Sequence, residues 1–338
     1  MNPQDALVRR LSQVEPARAS LRASERKQAV FFVSIFLVGI PLLLGGTVGV
    51  LWLMGNFVSQ HGFALSAATL TFWAVLGFAF YQFMEKFRTM SGKEEEDYHR
   101  EFRDYVLLPS LRDVLPGCRV SSSADWSVGD FDESKLFHPN HNRRHEACAF
   151  EGTIDGFSFR GSVLRIGFRR HGRPMYAGSF SSQTRRGIHF AGILIRLNHA
   201  PALPGIVRLV DRAYERSPIG YETARWPRAV RVSAGEASFD HEFLFIIDQE
   251  LASTPPPAPE PLRRACFQLK ALYDRPVFLS FTPEASYLAV HTGDSRLPME
   301  VEYNMKDPAS VLGQELDLLR RIPQAVEILH RGVSGVSG

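Results

Sequence analysis

The chain has 338 residues, of which 45% are hydrophobic, 22% charged and 11% aromatic. This composition excludes wholly disordered, collagen-like and disulfide-knotted proteins, and the length allows one large or two small domains with an apolar core. The net charge of +3 comes entirely from residues 1–28, so the rest of the chain is neutral and bulk nucleic-acid binding is not expected. Three widely spaced cysteines predict no disulfide framework.

A charge-free segment dominates the N-terminal quarter. The 57 residues between Lys27 and Glu85 include no Asp, Glu, Lys or Arg. Residues 29–54 and 63–84 are each long and apolar enough to cross a bilayer as a helix, and 55–62 form a short polar connection. A signal peptide has a shorter apolar stretch, and a buried helical hairpin of a soluble protein rarely lacks charge over this length. The pattern predicts a transmembrane hairpin.

The basic residues that flank this hairpin predict its orientation. Residues 1–28 form a basic segment with six Lys or Arg, Lys86, Arg88 and Lys93 follow the second span, and the connection has none. The positive-inside rule places both termini in the cytoplasm of a two-span protein of the bacterial inner membrane. Gly45 and Gly49 form a G-x-x-x-G pair that permits close helix packing, either in a homo-oligomer or against the second span.

The remainder predicts a juxtamembrane helix and a cytoplasmic α+β domain. Over 85–117, the residues Tyr98, Phe102, Tyr105 and Val106 fall on one helical face. Residues 118–331 alternate as strands around an Asp155-Gly156 hairpin turn, which favours a mixed, largely antiparallel sheet with flanking helices. Within this domain 206–214 has a helical pattern, 239–247 is ambiguous, and 262–273 has one apolar helical face. Residues 332–338 predict a flexible tail.

Several features occur together in a recognisable order. These are the two spans, the Leu-Leu-Pro-Ser-Leu sequence at 107–111, the Ser-Lys-Leu-Phe sequence at 134–137, the strand and turn at 150–156, the segment 233–243 and the strand pair near 277–290. In this order the chain resembles a bacterial two-span membrane-protein family catalogued as domain of unknown function 3137, over most of residues 30–330. The proline run at 255–261 is longer than that family's connector. The resemblance implies no activity, substrate or catalytic residue.

Two side-chain clusters are candidate sites. The first has the spacing H-x-x-H-x-x-x-H-x-x-C and offers four zinc ligands: His138, His141, His145 and Cys148. The alternative is a solvated loop, because Arg143 and Arg144 repel a cation. The second is a basic patch for anionic lipid or a protein partner, unless acids elsewhere balance its charge. It comprises Arg165, Arg169, Arg170, Arg173, Arg185 and Arg186.

No motif for a known reaction occurs in the chain. Phosphate-binding glycine loops, G-x-S-x-G and H-E-x-x-H are all absent, and the carboxylates of Glu236, Asp240 and Glu242 are not evidently convergent. The sequence therefore predicts a non-enzymatic, membrane-anchored interaction or adaptor module whose partners are the bilayer and a protein, with no cofactor. The alternative is a membrane-bound metal-dependent enzyme that uses a zinc ion at the His138–Cys148 cluster.

Overall fold

A computed structural model describes residues 3–34, 94–122, 132–137, 143–167, 188–215, 229–248, 257–292 and 305–337, with single positions at 250 and between 37 and 85. The chain divides into two compact units. Unit 1 comprises residues 1–106 and 302–306, and unit 2 comprises 107–301 and 307–338.

Unit 1 begins with a long helix, α1 (Pro3–Ser34), in the segment predicted only to be basic. Leu7, Val14 and Leu21 are buried at seven-residue intervals, which is the spacing of a coiled-coil seam. Arg18 lies on the same seam, and its guanidinium donates to the Met305 carbonyl and, over 3.3 Å, to Glu15. One of the six Lys or Arg residues of the basic segment is therefore used inside unit 1.

The predicted juxtamembrane helix is present from residue 94, but its face differs from the prediction. Tyr98, Phe102 and Val106 are buried as expected, whereas Tyr105 is exposed. The helix widens into a π-helical stretch at Phe102–Leu107 before α2 (Leu108–Val114). A π-helix has more residues per turn than the 3.6 of an α-helix, so buried positions recur every four residues and Tyr105 rotates outward.

The predicted hairpin at 29–54 and 63–84 lies almost wholly outside the described residues. Among the residues that the structure does describe, no helix has both the length and the hydropathy that crossing a membrane requires.

Unit 2 contains a nine-stranded sheet in which all neighbouring strands are antiparallel, as the α+β prediction anticipated. The strands are β1 (Arg119–Ser121), β2 (Arg143–Ile154), β3 (Phe157–Gly167), β4 (Ile188–Leu197), β5 (Val207–Asp211), β6 (Ala229–Val232), β7 (Phe243–Asp248), β8 (Val277–Phe281) and β9 (Ser286–His291). Their spatial order is β1-β2-β3-β4-β9-β8-β5-β7-β6.

The β2–β3 turn confirms the hairpin prediction. Asp155 and Gly156 both have positive φ, at 48° and 84°, which is the backbone of the tight turn that suits a twisted two-strand hairpin. The helix predicted over 206–214 is wrong, because most of it is β5. Every residue of β5 is buried, including Arg208 and Asp211, and a strand covered on both faces lacks the regular alternation of apolar and polar residues that identifies a half-exposed strand.

Besides α2, the helices that the structure describes in unit 2 are α3 (Arg212–Glu215), α4 (Ala237–Glu242), α5 (Glu260–Tyr273), α6 (Pro308–Arg320) and α7 (Ile322–Ser337). The apolar face predicted for 262–273 is buried in α5. The flexible tail predicted at 332–338 is wrong up to Ser337, because α7 continues through it and Val333 is fully buried. Glycine at 332 and 335 permits this, since it lets α7 approach Ala265 and Pro261 of α5 closely.

The two faces of the sheet are covered differently. Lys270 of α5 reaches Asp211, so α5 lies on the face to which the odd-numbered residues of β5 point. The opposite face holds an apolar cluster that includes Val210, Phe190 and Phe278, and it is covered in part by Leu136 and Phe137.

Candidate functional site

The predicted zinc cluster is only partly within the described residues. His138 and His141 lie outside them, His145 is exposed on β2, and Cys148 is fully buried. Burial raises the pKa of Cys148 to about 12, so its sulfur is a thiol at neutral pH and would have to release its proton to bind zinc. Across the described part of the chain, no three His, Cys, Asp or Glu side chains are arranged to hold a metal ion.

Of the predicted basic patch, the structure describes Arg165, and this residue is not on the surface. Arg165 lies on β3 between two neighbouring strands and is 6% exposed, so it is not accessible to a lipid headgroup. The other five arginines of the patch, between 169 and 186, lie outside the described residues.

The structure shows no helix contact at the predicted packing glycines that it describes. Gly49 lies outside the described residues, and no described atom lies within 4 Å of the position that a Cβ on Gly45 would occupy. The G-x-x-x-G pair stays a prediction.

The carboxylates near α4 do not converge on a common point. Asp240 accepts hydrogen bonds from the Ser233 hydroxyl and, over 2.8 Å, from the backbone N–H of Ala234. Glu236 pairs with Arg263 at 3.0 Å. Each carboxylate stabilises a local turn or helix, so this arrangement is structural.

Glu242 instead belongs to an ion triad that the sequence did not indicate. Lys270 on α5 lies 3.2 Å from a carboxylate oxygen of Asp211, which is fully buried at the end of β5, and also binds Glu242. Asp211 in turn accepts a 2.8 Å hydrogen bond from the backbone N–H of Ala213, at the start of α3. The triad therefore joins β5, α3, α4 and α5.

The electrostatics of this triad indicate a structural role. Burial lowers the pKa of Lys270, but the hydrogen bond to Glu242 and the charge of Asp211 more than offset this, and the pKa is raised overall. A lysine nucleophile needs the opposite shift. Cys266, one turn before Lys270, is also protonated, because burial and the charge of Asp211 raise its pKa well above the usual range.

A second unanticipated feature is a row of arginines across the sheet. The register places one residue of each strand directly opposite the next, and directly opposed residues share a face. The row formed in this way runs through Arg119, Glu151, Arg160, Arg196, Tyr287, Ser280, Arg208, Ile246 and Arg231. We call its five arginines the arginine row.

The middle of the arginine row is buried and its ends are exposed. Arg208 is 3% exposed, donates to the Lys135 carbonyl and lies 3.7 Å from Asp248. Burial, only partly opposed by the charge of Asp248, lowers the pKa of its guanidinium to about 10. At the edges, the side chain of Arg119 is 84% exposed and Arg231 is also exposed. The ends are thus the part accessible to another molecule.

Two members of the row oppose each other directly. Arg160 on β3 faces Arg196 on β4, and like charges in such a pair destabilise a sheet. Arg196 also lies 3.9 Å from Glu133 and stacks over the ring of Tyr287. The charge of Arg196 is thus partly balanced by Glu133.

No signal along the chain could have indicated the arginine row. Its members come from five strands spread between residues 119 and 231, and only the register brings them into line.

Comparisons of the chain with protein-family models, with curated proteins and with solved structures found no match in any of the three. The resemblance to the two-span family therefore stays a prediction.

Proposed function

We propose that the chain is a non-enzymatic, membrane-anchored interaction module of the bacterial inner membrane. In this proposal the helical hairpin at 29–54 and 63–84 holds an α+β domain on the cytoplasmic side, and both termini are cytoplasmic. The domain binds a partner protein through an acidic segment that contacts the exposed ends of the arginine row.

The observation that carries the membrane anchor is the exposure of apolar side chains. Among the described residues, eight large apolar side chains are more than half exposed, and six of them lie between residues 29 and 84. These six are Val30, Val33, Leu37, Val48, Phe78 and Tyr81. Burying such a side chain is worth about 1.5–3 kcal/mol, which hydrocarbon would supply. Exposed apolar groups concentrated in one charge-free segment support a lipid environment for it.

The bases at the end of α1 support the orientation. Arg26 and Lys27 are exposed immediately before the proposed first span, and no Lys or Arg occurs in the connection at 55–62. Positive charge next to a span favours the cytoplasmic side.

The chemistry of the described nucleophiles favours binding over catalysis. Cys148 and Cys266 have raised pKa values and Lys270 is held as an ammonium ion, so none of the three is activated.

The arginine row supports the choice of partner. A guanidinium group can bind a carboxylate through two parallel hydrogen bonds, and at the sheet edge Arg119 already donates one 3.3 Å hydrogen bond to Glu151. An acidic peptide segment offers the same group in repeated form.

Carbonate extraction of full-length protein tests the anchor. We expect wild-type protein to stay in the membrane pellet, and Leu37→Arg combined with Leu42→Arg to release it, because each central arginine costs about 3 kcal/mol in a span. Val8→Arg, on an equally exposed position of α1 outside the hairpin, is the matched control and should stay in the pellet.

A pair of C-terminal fusions tests the orientation. A fluorescent protein that folds only in the cytoplasm should be bright, and alkaline phosphatase, which is active only in the periplasm, should be silent. Wild-type protein released by carbonate, or an active phosphatase fusion, would refute the proposed topology.

A further inference from the structure

Three aromatic rings meet at the end of the sheet that carries the β2–β3 turn. Phe157, the first residue of β3, stacks nearly parallel on His199 at 4.2 Å and lies 4.6 Å from the ring of His330. His199 follows β4, and His330 lies on α7. The Nδ1 atoms of the two histidines are 3.0 Å apart.

This distance is a hydrogen bond, which fixes the protonation of the pair. One Nδ1 must carry a proton and donate it, and the other must be unprotonated and accept it. When the pair takes up a first proton, one Nδ1 is still unprotonated and can accept, so the hydrogen bond between the rings is kept. A second proton removes the acceptor and places two positive charges at this separation.

The backbone of His199 is tied to the sheet by two hydrogen bonds. Its N–H donates to the Leu197 carbonyl over 2.8 Å, and its carbonyl accepts a 2.6 Å hydrogen bond from the Ser286 hydroxyl of β9. Repulsion between the two rings would therefore be relieved by movement of α7.

Charged side chains also occur on the elements around the pair. Among the described residues these include Glu151 of β2, Asp155 of the β2–β3 turn, Arg160 of β3, Arg196 of β4, Glu284 of the β8–β9 turn, Glu260, Arg263, Arg264 and Lys270 of α5, and Glu327 and Arg331 of α7. Glu327 and Arg331 bind each other along α7, and Arg196 contacts Glu133. The pKa of His199 is lowered first by burial and then by the charge of His330. The decisive charge is thus within the pair.

We propose that His199 and His330 form a proton-sensitive latch that holds α7 against the hairpin end of the sheet and releases it in mild acid. The latch does not depend on the proposed partner or on the membrane anchor. Gly332, two residues beyond His330, packs against Ala265 of α5, so release of α7 would uncover that face of α5.

The direction of the pH effect follows from the lowered pKa of His199. Below the ordinary histidine value of 6.5, the open or unfolded state takes up a proton more readily than the latched state. The stability that the latch contributes is therefore complete above that value and is lost as the pH falls below it.

Hydrogen–deuterium exchange of the full-length protein in detergent tests the latch. After correction for the intrinsic exchange rate, we expect amides of residues 322–337 to open roughly tenfold more often at about pH 5 than at about pH 7.5, because the second proton removes the hydrogen bond between the two rings. His330→Gln keeps a hydrogen-bonding side chain but cannot titrate, so its α7 should show no such pH dependence.

Controls separate the latch from general acid sensitivity. His241→Gln, an exposed position on α4, should keep the wild-type pH dependence. His199→Gln should behave as His330→Gln does, and it serves as the second variant if His330→Gln loses protection throughout unit 2. Equal opening of wild-type α7 at both pH values, or acid opening that persists in both glutamine variants, would overturn the proposal.

Discussion

At the residue scale, two glycines show opposite constraints. A Cβ added to Gly192 on β4 would lie 2.0 Å from the carbonyl oxygen of Val290 and 2.9 Å from the ring of Phe190, which no L-residue can tolerate without moving the strand. We predict that Gly192→Ala lowers the free energy of unfolding of unit 2 by about 3 kcal/mol. Urea unfolding followed by hydrogen exchange of β4 and β9 peptides measures this.

The matched control is Gly313→Ala in α6, where nothing lies within 4 Å of the added Cβ. Alanine is the better helix former, so this variant should be about 0.5–1 kcal/mol more stable than wild type. A destabilised Gly313→Ala, or a neutral Gly192→Ala, would contradict the packing described for these two positions.

Asp211 is the buried member of the ion triad. Replacement by Asn removes its charge and keeps the shape of its side chain. Asp211→Asn keeps an acceptor for the N–H of Ala213 but removes the ion pair with Lys270, and we expect a loss of about 1–2 kcal/mol in unfolding free energy. Asp317→Asn removes an exposed pair with Arg320 and should cost less than about 0.5 kcal/mol.

The raised pKa of Lys270 adds a pH dependence to this test. The stability that the charged lysine contributes is complete below its ordinary value of 10.5 and is lost as the pH rises past the raised folded-state value. The gap between wild type and Asp211→Asn should therefore narrow in strong alkali. A gap that widens there would assign the effect to something other than the lysine charge.

At the element scale, α7 is the clearest departure from the sequence prediction. Val333 is fully buried in a segment whose glycine and serine content favours a disordered tail. We predict that Val333→Ala destabilises unit 2 by about 2 kcal/mol, whereas Val8→Ala, on an exposed position of α1, changes it by less than about 0.5 kcal/mol. Urea titration of both variants measures the two effects. A Val333→Ala variant as stable as wild type would contradict the helix and favour the flexible tail predicted at 332–338.

The elements that the sequence predicted correctly are those with one buried face or a distinctive turn. The apolar stripe of α5 and the Asp155-Gly156 hairpin are local signals, and both are confirmed. β5 was mistaken for a helix because burial on both faces removes its alternation. Tyr105 was predicted on the wrong face because the π-helical stretch changes the number of residues per turn, and no residue type in the sequence indicates such a stretch.

The candidate site was less predictable than the fold, for a physical reason. The arginine row and the His199–His330 pair join residues far apart in sequence, and strand register and helix docking alone bring them together. The clusters visible along the chain, at His138–Cys148 and Arg165–Arg186, include a buried Cys148 and a buried Arg165. Closeness in sequence did not indicate a shared surface.

At the scale of the whole molecule, the proposal combines an anchor with a binding domain. Basic residues flank a charge-free segment in which six large apolar side chains are exposed. Five arginines cross the sheet of unit 2, and those at its two edges are exposed. Together these two features account for both proposed contacts of the protein.

The central claim is tested most directly by photo-crosslinking in intact cells from single positions in the full-length chain. Probes placed at residues 119 and 231, at the exposed ends of the arginine row, should each yield a discrete adduct to one protein, identified by mass spectrometry. A probe at residue 320, an exposed position on α6, should not. Glutamate at the end opposite to the probe should weaken the adduct. Absence of any adduct above background at both row positions would contradict the account.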